Sequence, residues 1–343
     1  MKKIAIIGGG VVGSTAAYYL SKHGEQVTLY DDGNGQATKA AVGIICPWVS
    51  QRRNKEWYAL AREGAAFYQT LNNDLEDTSY YRQSGALIAH DKLLDKLYHI
   101  ALERREEAPE MGDVIILEGD ELKEKIPPFI QCNRALYVSG GAQVDGAKLV
   151  QTLQTEAQNL NVVHKRVHWS RQEGQLMVDG KRYDAVILAC GAWLQEQFPD
   201  KTVDVKPQKG QLIEFYDALD YAHTYPVFMP QGEIDFLYGN QGQLVVGATH
   251  ENEQGFNLDI DPNSSEYLIE EAIKYYPELK DIEINNVRVG TRAVSSNFSP
   301  FYGEVEGEPN LYQASGLGSS GLTTGVIIGK KLSQKLIEND KIN

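Results

Sequence analysis

The clearest chemistry in this chain lies in three glycines spaced Gly8-x-Gly10-x-x-Gly13 and in Asp31, eighteen residues beyond the third. Gly8 permits a tight turn, Gly10 lets backbone approach a pyrophosphate, and Gly13 lets a helix pack closely on a strand. Val11 and Val12 stand at the start of that helix, whose N–H groups and positive dipole end would face phosphates. Asp31 is placed to accept hydrogen bonds from an adenosine ribose. An acid there argues against a 2′-phosphate, and so against NADP. The loop by itself fits NAD and FAD equally.

Two further segments favour FAD. Ala189-Cys190-Gly191-Ala192 breaks a second buried-strand pattern, where chain can return against the nucleotide loop. Near the C-terminus, Ser315-Gly316-Leu317-Gly318-Ser319-Ser320-Gly321 opens another helix. A helix N-terminus at the pyrimidine edge of a flavin would stabilise the anionic reduced ring. Other reactive side chains carry less. His164 and His168 have His-x3-His spacing, but the residues around them read as strand and no second ligand pair lies nearby, which argues against a metal. His250 beside Thr249 could line an active site, but a histidine with no partner in sequence reads as a structural or surface group. Cys46 lacks the His/Asn constellation of a nucleophile.

These residues need a frame to hold them. Residues 4–7 are a continuous apolar run, as in a buried parallel strand. Helical spacing follows over 14–22, and 26–30 reads as the next strand. Further helices are predicted over 55–75, 92–107, 146–158, 265–276 and 322–337. Strands are predicted over 86–89, 114–117, 183–189, 211–215, 235–238, 244–247 and 311–314. Elements of nucleotide-binding type fall at the start, middle and end of the chain. One domain is therefore expected from separated segments (1–80, 140–204 and 286–343), with a second made of 81–139 and 205–285.

The 343 residues include 33 Lys+Arg and 47 Asp+Glu, a formal charge of −14 with pI near 5.0. The length allows about two domains, and 42% hydrophobic with 23% charged residues is globular composition, which argues against disorder. An acidic chain is a poor partner for nucleic acid or anionic membrane. Three widely spaced cysteines, Cys46, Cys132 and Cys190, fit a reducing compartment better than a disulfide framework. No run approaches the roughly 18 apolar residues of a membrane span. The short apolar run before Gly8 falls below a signal-peptide core, so the expected location is cytoplasmic.

Read in order, several segments together resemble the D-amino-acid oxidase/glycine oxidase/sarcosine oxidase (DAO) family of FAD enzymes, almost end to end. They are Ile4 to Gly10, Ala37-Thr38-Lys39-Ala40-Ala41-Val42-Gly43-Ile44-Ile45, Gly141-Ala142-Gln143-Val144-Asp145 and Ala185 to Trp193. Lys206 to Gln211, Val245 to Thr249, Gly290-Thr291-Arg292 and Ser315 to Gly321 complete the series. The resemblance implies an α/β fold: a Rossmann-like FAD-binding domain interleaved with an antiparallel-sheet (α+β) substrate domain. It places Thr38, Ala41, Val42, Gly43 and Ile44 along the pyrophosphate and flavin, and the Val167 backbone at the adenine. Ala189 and Gly191 lie against the nucleotide. Trp193 and the segment Gly316, Gly318, Ser319, Ser320, Gly321, Leu322 and Thr323 flank the isoalloxazine.

The resemblance also makes Arg292 the clamp for a substrate carboxylate, a role suited to a planar guanidinium that forms two parallel hydrogen bonds. Ile45, Trp48, Phe236 (in place of a glycine-oxidase-like tyrosine), Tyr238 and Arg52 are expected around the substrate. Arg52 or Arg53 would aid O2 activation or bind a second acidic group; the plainer reading is a solvated basic turn. Sarcosine-oxidase-like members attach flavin to a cysteine in the 293–297 region. Here Ala293-Val294-Ser295-Ser296-Asn297 holds none, so FAD is expected to be non-covalent.

The implied activity is oxidation of a small amino acid or secondary amine (glycine, sarcosine or D-amino-acid type) by hydride transfer to flavin N5. The imine then hydrolyses and the flavin is reoxidised by O2 or another acceptor. No general base is assigned, since an amine that is already neutral needs none. A 2-hydroxy-acid-oxidising flavoenzyme of the same fold and a non-catalytic flavin sensor are the alternatives. The expected partners are thus a small-molecule substrate and an electron acceptor, with no metal and no nucleic acid.

Overall fold

Alternation along Lys3–Ile7 sends Ile4 and Ile6 to one face of a sheet and Ala5 and Ile7 to the other, all of them buried. A strand buried on both faces needs a layer on each. The computed structural model, which describes residues 1–216, 225–239 and 242–338, supplies both. Helices Val11–Lys22, Lys55–Asp74, Gly146–Thr155 and Gly321–Glu338 pack on the Ile4/Ile6 face through Ala16, Leu71, Leu149 and Val326. On the other face lies a meander of Trp169–Gln172, Gln175–Val178 and Lys181–Tyr183, whose Leu176 and Val178 meet Val186 and Leu188.

This sheet has six strands in the order Phe301–Glu304, Leu311–Ser315, Ala185–Leu188, Lys3–Ile7, Gln26–Tyr30 and Leu160–Val163. Every neighbouring pair is parallel except the first. The chain moves outward in both directions from Lys3–Ile7, so the Gly8 loop opens where the strand order reverses, the usual ligand crevice of an open α/β sheet.

A second sheet has eight strands in the order Asn286–Val294, Lys206–Phe215, Leu244–Gly247, Asp235–Tyr238, Val227–Met229, Ala86–Ile88, Arg134–Val138 and Val114–Glu118. It is antiparallel apart from the Val227–Met229/Ala86–Ile88 pair. Ile213, Phe228, Phe236 and Val246 face the helix Pro262–Ala272, while Leu212, Leu237 and Val245 face the nucleotide side. A small sheet of Ile44–Ile45, Ala142–Val144 and Tyr81–Arg82 lies between.

Several boundaries differ from the sequence expectation. The first helix begins at Val11 instead of residue 14, with Gly10 as its N-cap. Lys206–Phe215 starts five residues before the predicted 211. Its first half, Lys206-Pro207-Gln208-Lys209-Gly210, has no apolar alternation, and the ammonium of buried Lys209 is held by Asp259 O at 2.8 Å and by Glu251. Asn286–Val294, assigned from sequence to the nucleotide-binding segments, pairs along its whole length with Lys206–Phe215 in the antiparallel sheet. Residues 164–168 are loop, not strand, and leave His164 and His168 exposed.

Helices approach closely at glycines outside the nucleotide loop. A Cβ at Gly64 would stand 1.9 Å from Thr323 O, one at Gly329 would stand 2.6 Å from Val12 O, and one at Gly325 would stand 2.5 Å from Val11 Cγ1. Among the described residues no helix is long and apolar enough to cross a membrane.

Candidate active site

A cavity of about 470 Å3 follows the carboxyl ends of the parallel strands and continues under the eight-stranded sheet. Its first stretch is built from the glycine loop. Gly8 turns at φ +108°, with the space of a Cβ already filled by Ala189 O at 2.2 Å. A Cβ on Gly13 would meet Gly8 O at 1.9 Å, so Gly13 works from behind the loop and does not itself line the cavity. Gly10 offers the helix no side-chain cap. The N–H of Val11 goes to Thr38 Oγ1 at 3.0 Å, and the rest of the first turn has no i−4 carbonyl to bond.

Asp31 accepts from the N–H groups of Gly9 and Gly33 and from Gln36 Nε2. A carboxylate has about four lone-pair directions, which leaves one for a ribose hydroxyl. Asp32 pairs with Arg166 at 2.7 Å, and the Arg166 guanidinium lies 5.8 Å from the Trp193 ring, where Val167 and Trp193 form the wall. The Val167 carbonyl is taken by Gln197 Nε2 at 3.0 Å.

The second stretch is lined by Ala41, Val42, Gly43 and Ile44 on one side and by Gly318, Ser319, Ser320, Gly321, Leu322 and Thr323 on the other, with Ala189 and Gly191 between. Gly43 has φ +100°, and a Cβ there would stand 2.2 Å from Val144 O. Gly316 does not line the cavity; its φ of +76° turns the chain beneath Ser299 O. Ser315 Oγ ties this loop to Gly191 O at 2.8 Å, and Trp57 Nε1 holds Ser320 Oγ at 3.0 Å.

The third stretch holds the charged groups. Arg292 stands opposite Gln208 in the sheet register, and its guanidinium lies flat over Gly210, where any Cβ would come within 2.5 Å of Nη1. Nη1 donates to Thr249 O at 2.8 Å and, more weakly, to Gln208 Oε1 at 3.4 Å, which leaves the Nε–Nη2 edge for a ligand. Burial pulls this guanidinium down to about 10, still charged at neutral pH. Arg52 also lines the cavity, 4.5 Å from the Trp57 ring and 3.1 Å from Ser319 Oγ, whereas Arg53 is exposed and outside it. Among the described residues neither Arg52 nor Arg292 has a carboxylate in ion-pair range.

Four of the side chains expected around substrate are elsewhere. Ile45 is sheet core, paired with Ala142. Trp48 is buried, with Nε1 3.3 Å from Glu110. Phe236 and Tyr238 point to the opposite face of their strand, Phe236 against Phe228 and Tyr275 and Tyr238 against Tyr225. The physical reason is the period of two. Asp235 and Leu237 share the cavity side, so the strand turns Asp235 into the site and both aromatics into the core.

Sequence reasoning missed Asp235 and Glu233 and set His250 aside; all three line the cavity. Burial, together with Arg292, lowers His250 and keeps it neutral. Burial and nearby Asp235 push the Cys46 thiol up to about 12, so it is not a thiolate at neutral pH. The signal for Asp235 was a lone acid inside an apolar strand, Ile234-Asp235-Phe236-Leu237.

These features fit FAD: an uncapped helix end behind a glycine turn for the pyrophosphate, Asp31 for a ribose, and a second helix opening at Gly321 on the same cavity. Residues 3–335 match the DAO family, FAD dependent oxidoreductase. The oxidoreductase YurR of Bacillus subtilis is 36% identical over 355 residues, covering 98% of this chain and 95% of its own. Glycine oxidase of Pseudomonas putida is 26% identical, covering 94% and 90%. Among solved structures, iminodiacetate oxidase from Chelativorans sp. has a TM-score of 0.93 at 31% identity, covering 98% of this chain and 95% of that one. Glycine oxidase from Geobacillus kaustophilus shares the fold, with a TM-score of 0.82 at 20% identity and coverage of 98% and 95%. The chain belongs to the DAO family of FAD-dependent oxidoreductases, with FAD as cofactor.

Proposed function

We propose that the substrate is a small secondary amine of N-carboxymethyl type, with one carboxylate on Arg292 and a second on Arg52. The observation that carries this is a pair of cationic guanidiniums lining one cavity, neither of them with a carboxylate in ion-pair range among the described residues. The likeness to iminodiacetate oxidase supports it, since iminodiacetate is a secondary amine with two carboxylates. When bound, FAD supplies the two-electron acceptor for the hydride leaving the carbon beside nitrogen, and its electrons pass to O2 or another acceptor. The imine so formed hydrolyses to an oxo acid and an amine.

The protein's own part is placement. Arg292 fixes one carboxylate by its free edge, and Arg52, braced by Trp57 and Ser319, holds the other. Fixing both ends leaves the central nitrogen and its adjacent carbon little freedom, and such orientation supplies much of a rate enhancement. Glycine and sarcosine carry a single carboxylate and would use Arg292 alone.

Anaerobic addition of iminodiacetate, sarcosine, glycine, D-alanine and lactate to the yellow protein tests the reading. Bleaching by the amines supports it; bleaching by lactate alone would move the activity to 2-hydroxy acids. Arg52→Ala should raise KM for iminodiacetate about 10- to 100-fold, the worth of a hydrogen bond to a charged group, and leave KM for sarcosine within about threefold. Equal effects on both would show that Arg52 does not meet a second carboxylate.

A further inference from the structure

We infer that Asp235 accepts the proton that the substrate ammonium must lose before oxidation. The inference rests on the amine reading above and adds a residue to it. Asp235 faces the cavity because its strand is fixed in register: it pairs with Gly247, Phe236 pairs with Val246, and Phe228 lies opposite Phe236 on the other side. A slip by one residue would bury the carboxyl in the aromatic core. Among the described residues no donor reaches its carboxyl oxygens.

The groups facing it from neighbouring elements do not neutralise it. Cys46, beyond Ile44–Ile45, is a protonated thiol. Met229, on the strand Val227–Met229, is uncharged, and Glu233 on its own segment is a second acid and no donor of positive charge. His250, beyond Leu244–Gly247, is held neutral. Arg52 and Arg292 lie elsewhere on the lining and do not offset the burial, which raises this carboxyl to about 7.

A carboxyl without a protein donor, inside a site that takes an ammonium, has one natural partner. An α-amino acid or secondary amine reaches neutral water as its ammonium form, and nitrogen in that form has no lone pair with which to expel hydride. Transfer breaks one N–H bond of the substrate and forms one O–H bond on Asp235. The lone pair it uncovers on nitrogen becomes the C=N bond when the Cα–H pair leaves with two electrons to the FAD. An acceptor near 7 is poised to take that proton and later return it to water.

The test compares wild type, Asp235→Asn and Asp235→Glu as holoenzymes, with iminodiacetate and sarcosine, from pH 6 to 10. The Asn variant should lose about 10²-fold in kcat/KM at pH 7. It should regain most of that as pH approaches the amine's own range, where substrate arrives neutral, and the Glu variant should keep the wild-type profile. An Asn variant with an unshifted profile, or with the same loss at every pH, overturns the assignment. A wild type bleached by no amine overturns the amine reading instead, so the two failures are distinguishable.

A second measurement needs no turnover. The folded carboxyl is raised above its ordinary 3.8, so between 3.8 and about 7 the folded state binds more protons than the unfolded. Its stability contribution is complete below 3.8 and lost as pH rises to about 7. The melting temperature of wild type should fall across that window relative to Asp235→Asn and run parallel above it. Parallel curves throughout would mean that the carboxyl is solvated and not held as a buried acceptor.

Discussion

Replacing Arg292 by alanine should raise KM for a carboxylate substrate by a factor of roughly 30 to several thousand, the equivalent of about 2–5 kcal/mol for one partner of a buried, hydrogen-bonded charge pair. The strength of the effect follows from the surroundings. The guanidinium lies in a site that already lowers its affinity for protons, and Nη1 is anchored by Thr249 O, so the free edge is presented in one orientation. Arg292→Lys keeps the charge and loses the fork, and it should recover only part of the binding. An amine without a carboxylate should be indifferent to either change. The folded protein should tolerate Arg292→Ala, since the substitution removes a buried cation that has no carboxylate in ion-pair range among the described residues. An unchanged KM in a well-folded Ala variant would remove Arg292 from substrate binding.

Gly64→Ala should be among the most damaging single-atom additions in the molecule, costing about 3 kcal/mol or more. Gly64 is mid-helix in Lys55–Asp74, where alanine is the better helix former by about 1 kcal/mol. Any loss is therefore a packing loss. The added Cβ meets a backbone oxygen, Thr323 O at 1.9 Å, which no side-chain rotation can clear. Separating the two helices would move Gly321, Leu322 and Thr323, which line the cavity, so FAD retention should fall along with the melting temperature. Gly119→Ala is the control, at φ +56° with open space around it, and should cost only about 1–2 kcal/mol. Melting temperature and flavin content after gel filtration measure both. A Gly64→Ala protein as stable and as yellow as wild type would show that the helices can part without consequence.

Both effects bear on what can be read before folding is considered. The nucleotide loop was legible because its signal is local: strand, three glycines, helix and acid follow one another within 29 residues, from Lys3 to Asp31. The 315–321 turn was legible as a glycine-rich helix opening, whereas Arg292 was legible through resemblance alone, since the strand that carries it has no clean apolar alternation. The chain has 32 glycines, and the cofactor loops explain only part of them. Gly64, Gly325 and Gly329 belong to helix contacts between segments far apart in sequence.

The −14 charge argues against basic-surface functions and says little about the ligand, which on the proposed reading would meet two arginines and helix ends locally. What the amino-acid order determined by itself was the cofactor chemistry, because backbone geometry at glycines and a short strand-helix spacing are properties of neighbouring residues. What tertiary structure decided was the substrate side. In Ile234-Asp235-Phe236-Leu237 apolar residues occupy both parities, and only pairing with Leu244–Gly247 and packing against Pro262–Ala272 settle which face is core. That choice sends two aromatics away from the cavity and turns one carboxylate into it.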